Sequence, residues 1–280
     1  MNDLAERHYA ALSNALARDE LPLPTLPEVA LEVRRVMEDE DADSRRMADV
    51  ICTDPALTGR LLAVVNSPLY RGHRQIDNVQ QAVTRLGMGL VRNLVLSLMV
   101  KQLFRCTQTA TAARLETIWA HSVHVAALAR VLAARFTTVD PDLAMLAGLI
   151  HDIGTLPILA YAERHPELYA DGALLDQLLE RLHPWTGTTL LEHWSLDGRL
   201  AVVAGGHENL AYDHDGPADL LDVVIVANLQ DHLGRDHPLG DTDWAAVPAV
   251  AHLGLEAEVS VIEIPGVAEE RQEAVQVLAI

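Results

Sequence analysis

The residues best suited to chemistry in this chain are an adjacent histidine and aspartate, His151-Asp152. They follow the apolar run Ala147-Gly148-Leu149-Ile150 and precede Ile153-Gly154. Neighbouring side chains on a helix point about 100° apart. Where a helix gives way at a glycine, both can turn toward one ion. A neutral imidazole beside a carboxylate suits Mn, Fe, Zn or Ni, and a pair of such sites activates water for phosphoester hydrolysis. Other histidines flank the pair: His121 and His124, three apart on one helix face, then His183, expected to open a helix, and His207, expected to close one. The dipeptide alone is weak evidence, because it recurs at His214-Asp215 in a polar loop, where it reads as turn chemistry. On spacing alone, the commoner explanation of each histidine is a capped or half-buried residue of an amphipathic helix. The metal is therefore one of two open readings at this level.

Positioning these side chains falls to helices. Residues 1–20 carry Leu4, Tyr9, Leu12 and Leu16 at helical spacing and stop at Pro22, Pro24 and Pro27. A helix is expected over Glu28–Glu38, and another after a cap at Asp43 or Ser44. Asp54-Pro55 couples a capping acceptor to proline at the first helical position, a strong start signal. Asn78 caps Val79–Leu86, Gly87 supplies a left-handed stop, and an apolar helix covers Leu90–Phe104. The polar, Thr-rich stretch Arg105–Ala113 reads as a joint between lobes. Beyond it the periodicity predicts Leu115–Phe136, Asp142–Ile150, Leu156–Ala162, Gly172–Leu182, Thr186–His193, Gly198–His207 and Leu220–Leu233, then a tail ending in Ala268–Leu278. Only Glu258–Ile264 alternates like a strand, and one isolated strand makes no sheet. The fold class is all-α.

Composition narrows the function. Forty acidic against 21 basic residues give a net charge of −19, which opposes general binding to nucleic acid. No helix clusters Arg, Lys, Asn and Gln as a DNA-recognition helix does. Arg92 and Lys101 read as solvated heads on a helix. Cys52 and Cys106, the only cysteines, read as reduced thiols. The N-terminus lacks the basic and apolar regions of a signal peptide, and Leu90–Leu103 is too short and too polar to span a bilayer. A soluble, cytoplasmic protein without membrane or nucleic-acid partners is expected.

Several separated motifs carry a family resemblance. His121-Ser122-Val123-His124-Val125-Ala126 followed by His151-Asp152-Ile153-Gly154 resembles the HD superfamily of metal-dependent phosphohydrolases. Leu23-Pro24-Thr25-Leu26-Pro27, Asp54-Pro55-Ala56-Leu57, Leu61-Leu62 leading to Asn66-Ser67-Pro68, and Ala82 with Leu86-Gly87 resemble the HDOD domain, over residues 20–235. The resemblance implies a two-lobed helical bundle. Residues 1–105 would form the N-terminal lobe, 106–236 an HD-like lobe and 237–280 a helical tail packed on the body.

Carried over residue by residue, the metal site of catalytic HD-GYP relatives falls on His121, His151, Asp152, His183 and His207, with losses. The first of a histidine pair falls on Gly206, a late aspartate on Asn228 and an upstream acidic ligand on Thr117. The lysine that often follows the HD element is Thr155, and Asp215-Gly216-Pro217 is at best a remnant of the GYP signature. A multinuclear centre needs several anionic ligands, and Asp152 is the only carboxylate left among these positions. The expectation is a single divalent transition metal at most, held by His121, His151, Asp152 and His183 or His207. Glu192 and Asp231 are the unmatched carboxylates able to alter that count. The resemblance then implies a non-catalytic bacterial signalling module acting on protein partners or a small ligand. A phosphohydrolase with a reduced site is the alternative.

Overall fold

Polar caps and proline stops divide the chain into fifteen α-helices among the residues that the computed structural model describes, 3–104, 109–235, 237–256 and 260–279. The first six are α1 (Asp3–Ala17), α2 (Glu28–Glu38), α3 (Ser44–Ile51), α4 (Pro55–Val65), α5 (Val79–Leu86) and α6 (Met88–Leu103). Next come α7 (Thr109–Phe136), α8 (Pro141–Ile150), α9 (Thr155–Ala162), α10 (Pro166–Ala170), α11 (Gly172–His193), α12 (Gly198–Gly206) and α13 (Leu220–His232). The last two are α14 (Pro248–His252) and α15 (Val267–Ala279). No strand occurs among the described residues.

Asp43, Asp54 and Asn78 accept the orphan backbone N–H groups of α3, α4 and α5. Each such cap stabilises a helix by about 1 kcal/mol. Gly87, at φ +84°, ends α5 and begins α6, a backbone turn that favours glycine. The boundaries of α2 and α5 match the sequence reading. Two expectations need correction. Gly172–Leu182 and Thr186–His193 are one continuous helix, α11, which runs through Pro184. An interior proline costs roughly 3 kcal/mol. That cost is offset because both halves bury Leu178, Leu182, Thr186, Leu190 and Leu191 against neighbouring helices. His183 is therefore mid-helix rather than a helix start. The strand-like Glu258–Ile264 has residues 258 and 259 outside the described set, and Val261–Glu263 forms a single 3₁₀ turn. Of the cysteines, Cys52 is exposed, while Cys106 and the segment 105–108 of the polar joint lie outside the described residues.

Helices α2 to α6 pack on one another, and α6 leans on α8. The long α7 is the axis of the second half, contacting α8, α13 and α15, while α11 packs on α9 and α12. The first helix leaves the N-terminal bundle and lies on α11. A polar link fastens the halves together: the Tyr70 hydroxyl donates to Asp142, and Arg130 Nε donates to the same carboxylate at 3.2 Å. Burial and the Asp142 charge push the Tyr70 hydroxyl well above its ordinary pKa. Residues 141–162 are apolar and long enough to cross a membrane, but 89% of their most apolar window is buried inside the protein, as in a core helix.

Helix α1 is fastened to α9 and α10 through His8. Its Nδ1 lies 3.0 Å from the Tyr161 hydroxyl and its Nε2 3.3 Å from a Glu167 oxygen. A neutral ring satisfies both, accepting from Tyr161 and donating to Glu167. Burial, aided by His165, lowers the His8 pKa despite Glu167. A depressed histidine contributes stability above the unfolded value near 6.5, and that contribution is lost as pH falls through the folded value. Thermal melts between pH 7.5 and 5 should therefore show a flatter acid-side decline for His8→Gln than for the unaltered protein.

Candidate metal centre

Five elements deliver side chains to one pocket. Helix α7 supplies His121 and His124. The C-terminus of α8 supplies His151, and the turn after it Asp152. His183 comes from the middle of α11, His207 from the end of α12, and Asp231 and His232 from α13. The glycines beside the HD pair allow this convergence. A Cβ on Gly148 would stand 2.8 Å from the Ala126 Cα on α7. A Cβ on Gly154 would stand 2.0 Å from the His183 carbonyl oxygen and 2.4 Å from the Gly187 nitrogen on α11. Both helices can press against the pair only because these side chains are missing.

All five residues expected from sequence come together. The Nε2 atoms of His121 and His151 are 3.1 Å apart, as are those of His183 and His207. Asp152 lies between the pairs. Its Oδ2 is 3.8 Å from His121 Nε2 and 3.5 Å from His151 Nε2, and its Oδ1 is 3.5 Å from His183 Nε2 and 3.3 Å from His207 Nε2. The set thus divides into two triads, His121-His151-Asp152 and Asp152-His183-His207, which share one carboxylate.

The other ring nitrogens decide what these can do. His151 Nδ1 donates to the Gly148 carbonyl at 2.7 Å, His183 Nδ1 to Leu179 at 2.8 Å and His207 Nδ1 to Ala204 at 3.1 Å. His121 Nδ1 donates to Asp231 Oδ2 at 2.8 Å. With every Nδ1–H directed outward, a neutral ring offers the pocket only the lone pair of Nε2. Two facing lone pairs at 3.1 Å repel unless a proton or a metal ion stands between them. Each histidine pair therefore needs a proton or a metal ion at its Nε2 edge. Nitrogen–oxygen sets of this kind, with edges near 3.3 Å, suit a transition metal bound at about 2.0–2.1 Å.

The electrostatics agree. His151 has no solvent exposure, and burial drives its pKa down to about 3 against the pull of Asp152, so it stays neutral. Burial opposes ionisation of Asp152, but His151, His207 and His183 hold it well below the usual carboxylate range. Burial lowers and Asp152 raises the His207 pKa, and the net shift is upward. Asn228, three residues before Asp231 on α13, has a buried side-chain oxygen with no hydrogen-bond partner. The residues present fit a transition metal.

The family model of the HDOD domain matches residues 23–210, well over half of the chain. The chain belongs to the HDOD family. A Shewanella amazonensis protein, named provisionally as a metal-dependent phosphohydrolase, is 26% identical, with a TM-score of 0.86 over 98% of this HDOD chain and 99% of its own. A Marinobacter aquaeolei protein, named provisionally for signal transduction, is 22% identical and shows the same fold, with a TM-score of 0.67 over 100% of this chain and 67% of its own. An uncharacterized protein of Treponema pallidum is 23% identical over 216 residues. The HDOD chain matches it across 74% of its own length and spans 42% of that relative.

The structure adds residues to this HDOD site that motif matching missed. Asp231 holds His121 from behind, lies 3.3 Å from His124 Nδ1 and pairs with Arg235. Glu208 reaches 3.9 Å from His183 Nε2. His232 stands beside His121 and stacks on His237, and burial followed by these two rings pushes its pKa down to about 4. Asp231 and His232 follow Asn228 by three and four residues, so helical spacing was the available signal. Glu192 belongs elsewhere, lining a cleft with Leu16, Asp19 and His193. A wide cleft of about 800 Å³ opens over Asp152 and His121, with Glu116, Thr117, Arg235 and His237 on its walls.

Two substitutions check this geometry. Gly154→Ala should lower the stability measured by urea unfolding by roughly 1–3 kcal/mol, because the methyl meets backbone rather than a flexible side chain. Asp231→Ala should leave the helical circular dichroism intact but release His121 from its Nδ1–H tautomer in long-range ¹H–¹⁵N spectra, while His151 keeps its own.

Proposed function

We propose that this HDOD protein is a metal-loaded signalling module. Its histidine pocket would hold a divalent transition ion through His121, His151, Asp152, His183 and His207, and would use occupancy to set recognition of a partner protein or small ligand. The observation that carries this reading is the convergence of four Nε2 lone pairs on a single carboxylate. A two-ion centre brings four positive charges. Among the carboxylates, Asp152 alone lies between the two histidine pairs; Glu208 comes no nearer than 3.9 Å to His183 Nε2, and Asp231 faces the rear of His121 and is already paired with Arg235. Glycine at 206 and asparagine at 228 add no charge. The bound ion would supply Lewis acidity. The surrounding residues orient the imidazoles, exclude donors and keep Asp152 ionised. An excess of positive charge favours retaining anionic groups over releasing a phosphate product.

A second reading, a phosphohydrolase with a reduced site, is favoured by one feature: Asp152 is shared by two triads beneath an open cleft. Elemental analysis and turnover of phosphomonoesters and cyclic dinucleotides distinguish the readings. The unaltered protein should retain an ion that His151→Ala loses, Asp231→Ala should weaken its binding about 10–100-fold, and phosphoester turnover should be the same with and without His151. Turnover that disappears in His151→Ala would transfer the assignment to the hydrolase. Metal-free protein from metal-replete expression would remove the basis of both readings.

A further inference from the structure

A second histidine–carboxylate cluster lies on the far side of α13. Asp222 is fully buried in the first turn of that helix, where its Oδ2 accepts the Asp219 backbone N–H at 2.9 Å. The same oxygen is 2.9 Å from His214 Nε2, and its Oδ1 is 3.0 Å from His252 Nδ1. His252 has a carboxylate on its other side too, with Asp213 Oδ1 3.3 Å from Nε2. Asp219 Oδ2 stands 3.9 Å from His214 Nε2 and accepts the Tyr212 hydroxyl at 2.7 Å. Three carboxylates therefore surround two imidazoles, and no lysine or arginine among the described residues pairs with Asp213, Asp219 or Asp222.

A neutral His252 carries one N–H, which cannot serve both Asp213 and Asp222. If Nε2–H donates to Asp213, a bare Nδ1 faces a buried carboxylate at hydrogen-bond distance. That arrangement requires a positive charge at the Nδ1 edge. Asp213 behind His252 is the carboxylate–histidine pairing that fixes a ring for metal binding. His214 Nε2, His252 Nδ1 and an Asp222 oxygen lie within 4.8 Å of one another, a two-nitrogen, one-oxygen set suited to Zn²⁺ with a fourth position left for water. The sequence reading of His214 as turn chemistry is thus incomplete, because its partners lie 8 and 38 residues away.

We propose that His214, Asp222 and His252 form a second site for a zinc-class divalent ion. The ion ties α14 to the start of α13 and so holds the C-terminal segment on the body. The site shares no residue with the histidine pocket and does not depend on that pocket's role.

Hydrogen exchange of the full chain, freed of metal with chelator and titrated with Zn²⁺ alone, tests the clamp locally. At free Zn²⁺ a hundred times its Kd, amide exchange in Pro248–His252 should slow by up to about 100-fold. His252→Gln and His214→Gln, each at a partly exposed position, should abolish that slowing and bind one Zn²⁺ equivalent fewer than the unaltered protein. Retention of ion by the pocket in both variants is expected. The proposal is overturned if α14 exchange in the unaltered protein ignores Zn²⁺. A zinc stoichiometry unchanged by both substitutions overturns it equally, and neither readout requires the pocket to be loaded.

Discussion

A buried place where every polar atom is an acceptor cannot persist without a cation, and the second half of this molecule is arranged around such a place. Asp152 sits among four imidazoles whose Nδ1 hydrogens are already committed to Gly148, Leu179, Ala204 and Asp231. Those outward hydrogen bonds fix each ring's rotation and tautomer together. Three of the four acceptors are carbonyls of the histidine's own helix, one turn back. The backbone that places each ring therefore also decides which nitrogen it presents.

Close helix approach is the second requirement. The crossing of α7 and α8 at Gly148, and of the HD turn and α11 at Gly154, bring backbones nearer than any Cβ allows. Buried aliphatic residues on α8, α9 and α13 supply the apolar area that opposes the cost of gathering polar groups, at about 25 cal/mol per Å². Continuity of α11 through Pro184 follows the same logic. The two halves of that helix bury too many side chains for one missing N–H to part them.

Much of this was legible in the sequence because it depends on local rules. Caps at Asp43, Asp54 and Asn78 state where helices begin, and the motif order around His121 and His151-Asp152 states the family and the ring set. What escaped depends on tertiary distance. Asp231 matches no motif position, and only folding reveals that it stands behind His121. Pro184 reads locally as a break, and only packing shows that it is not. His214 looks like a turn residue until α14 returns, after Pro248, to place His252 against Asp222.

The ratio of donors in the pocket has a consequence for ion choice. Magnesium and calcium take oxygen ligands, and magnesium gives up its water reluctantly. Four nitrogens around one carboxylate offer those hard ions little, while imidazole favours the later first-row metals in the order of their intrinsic affinities. A pocket with this make-up passes over the alkaline-earth ions that dominate most aqueous environments and responds to scarcer ones.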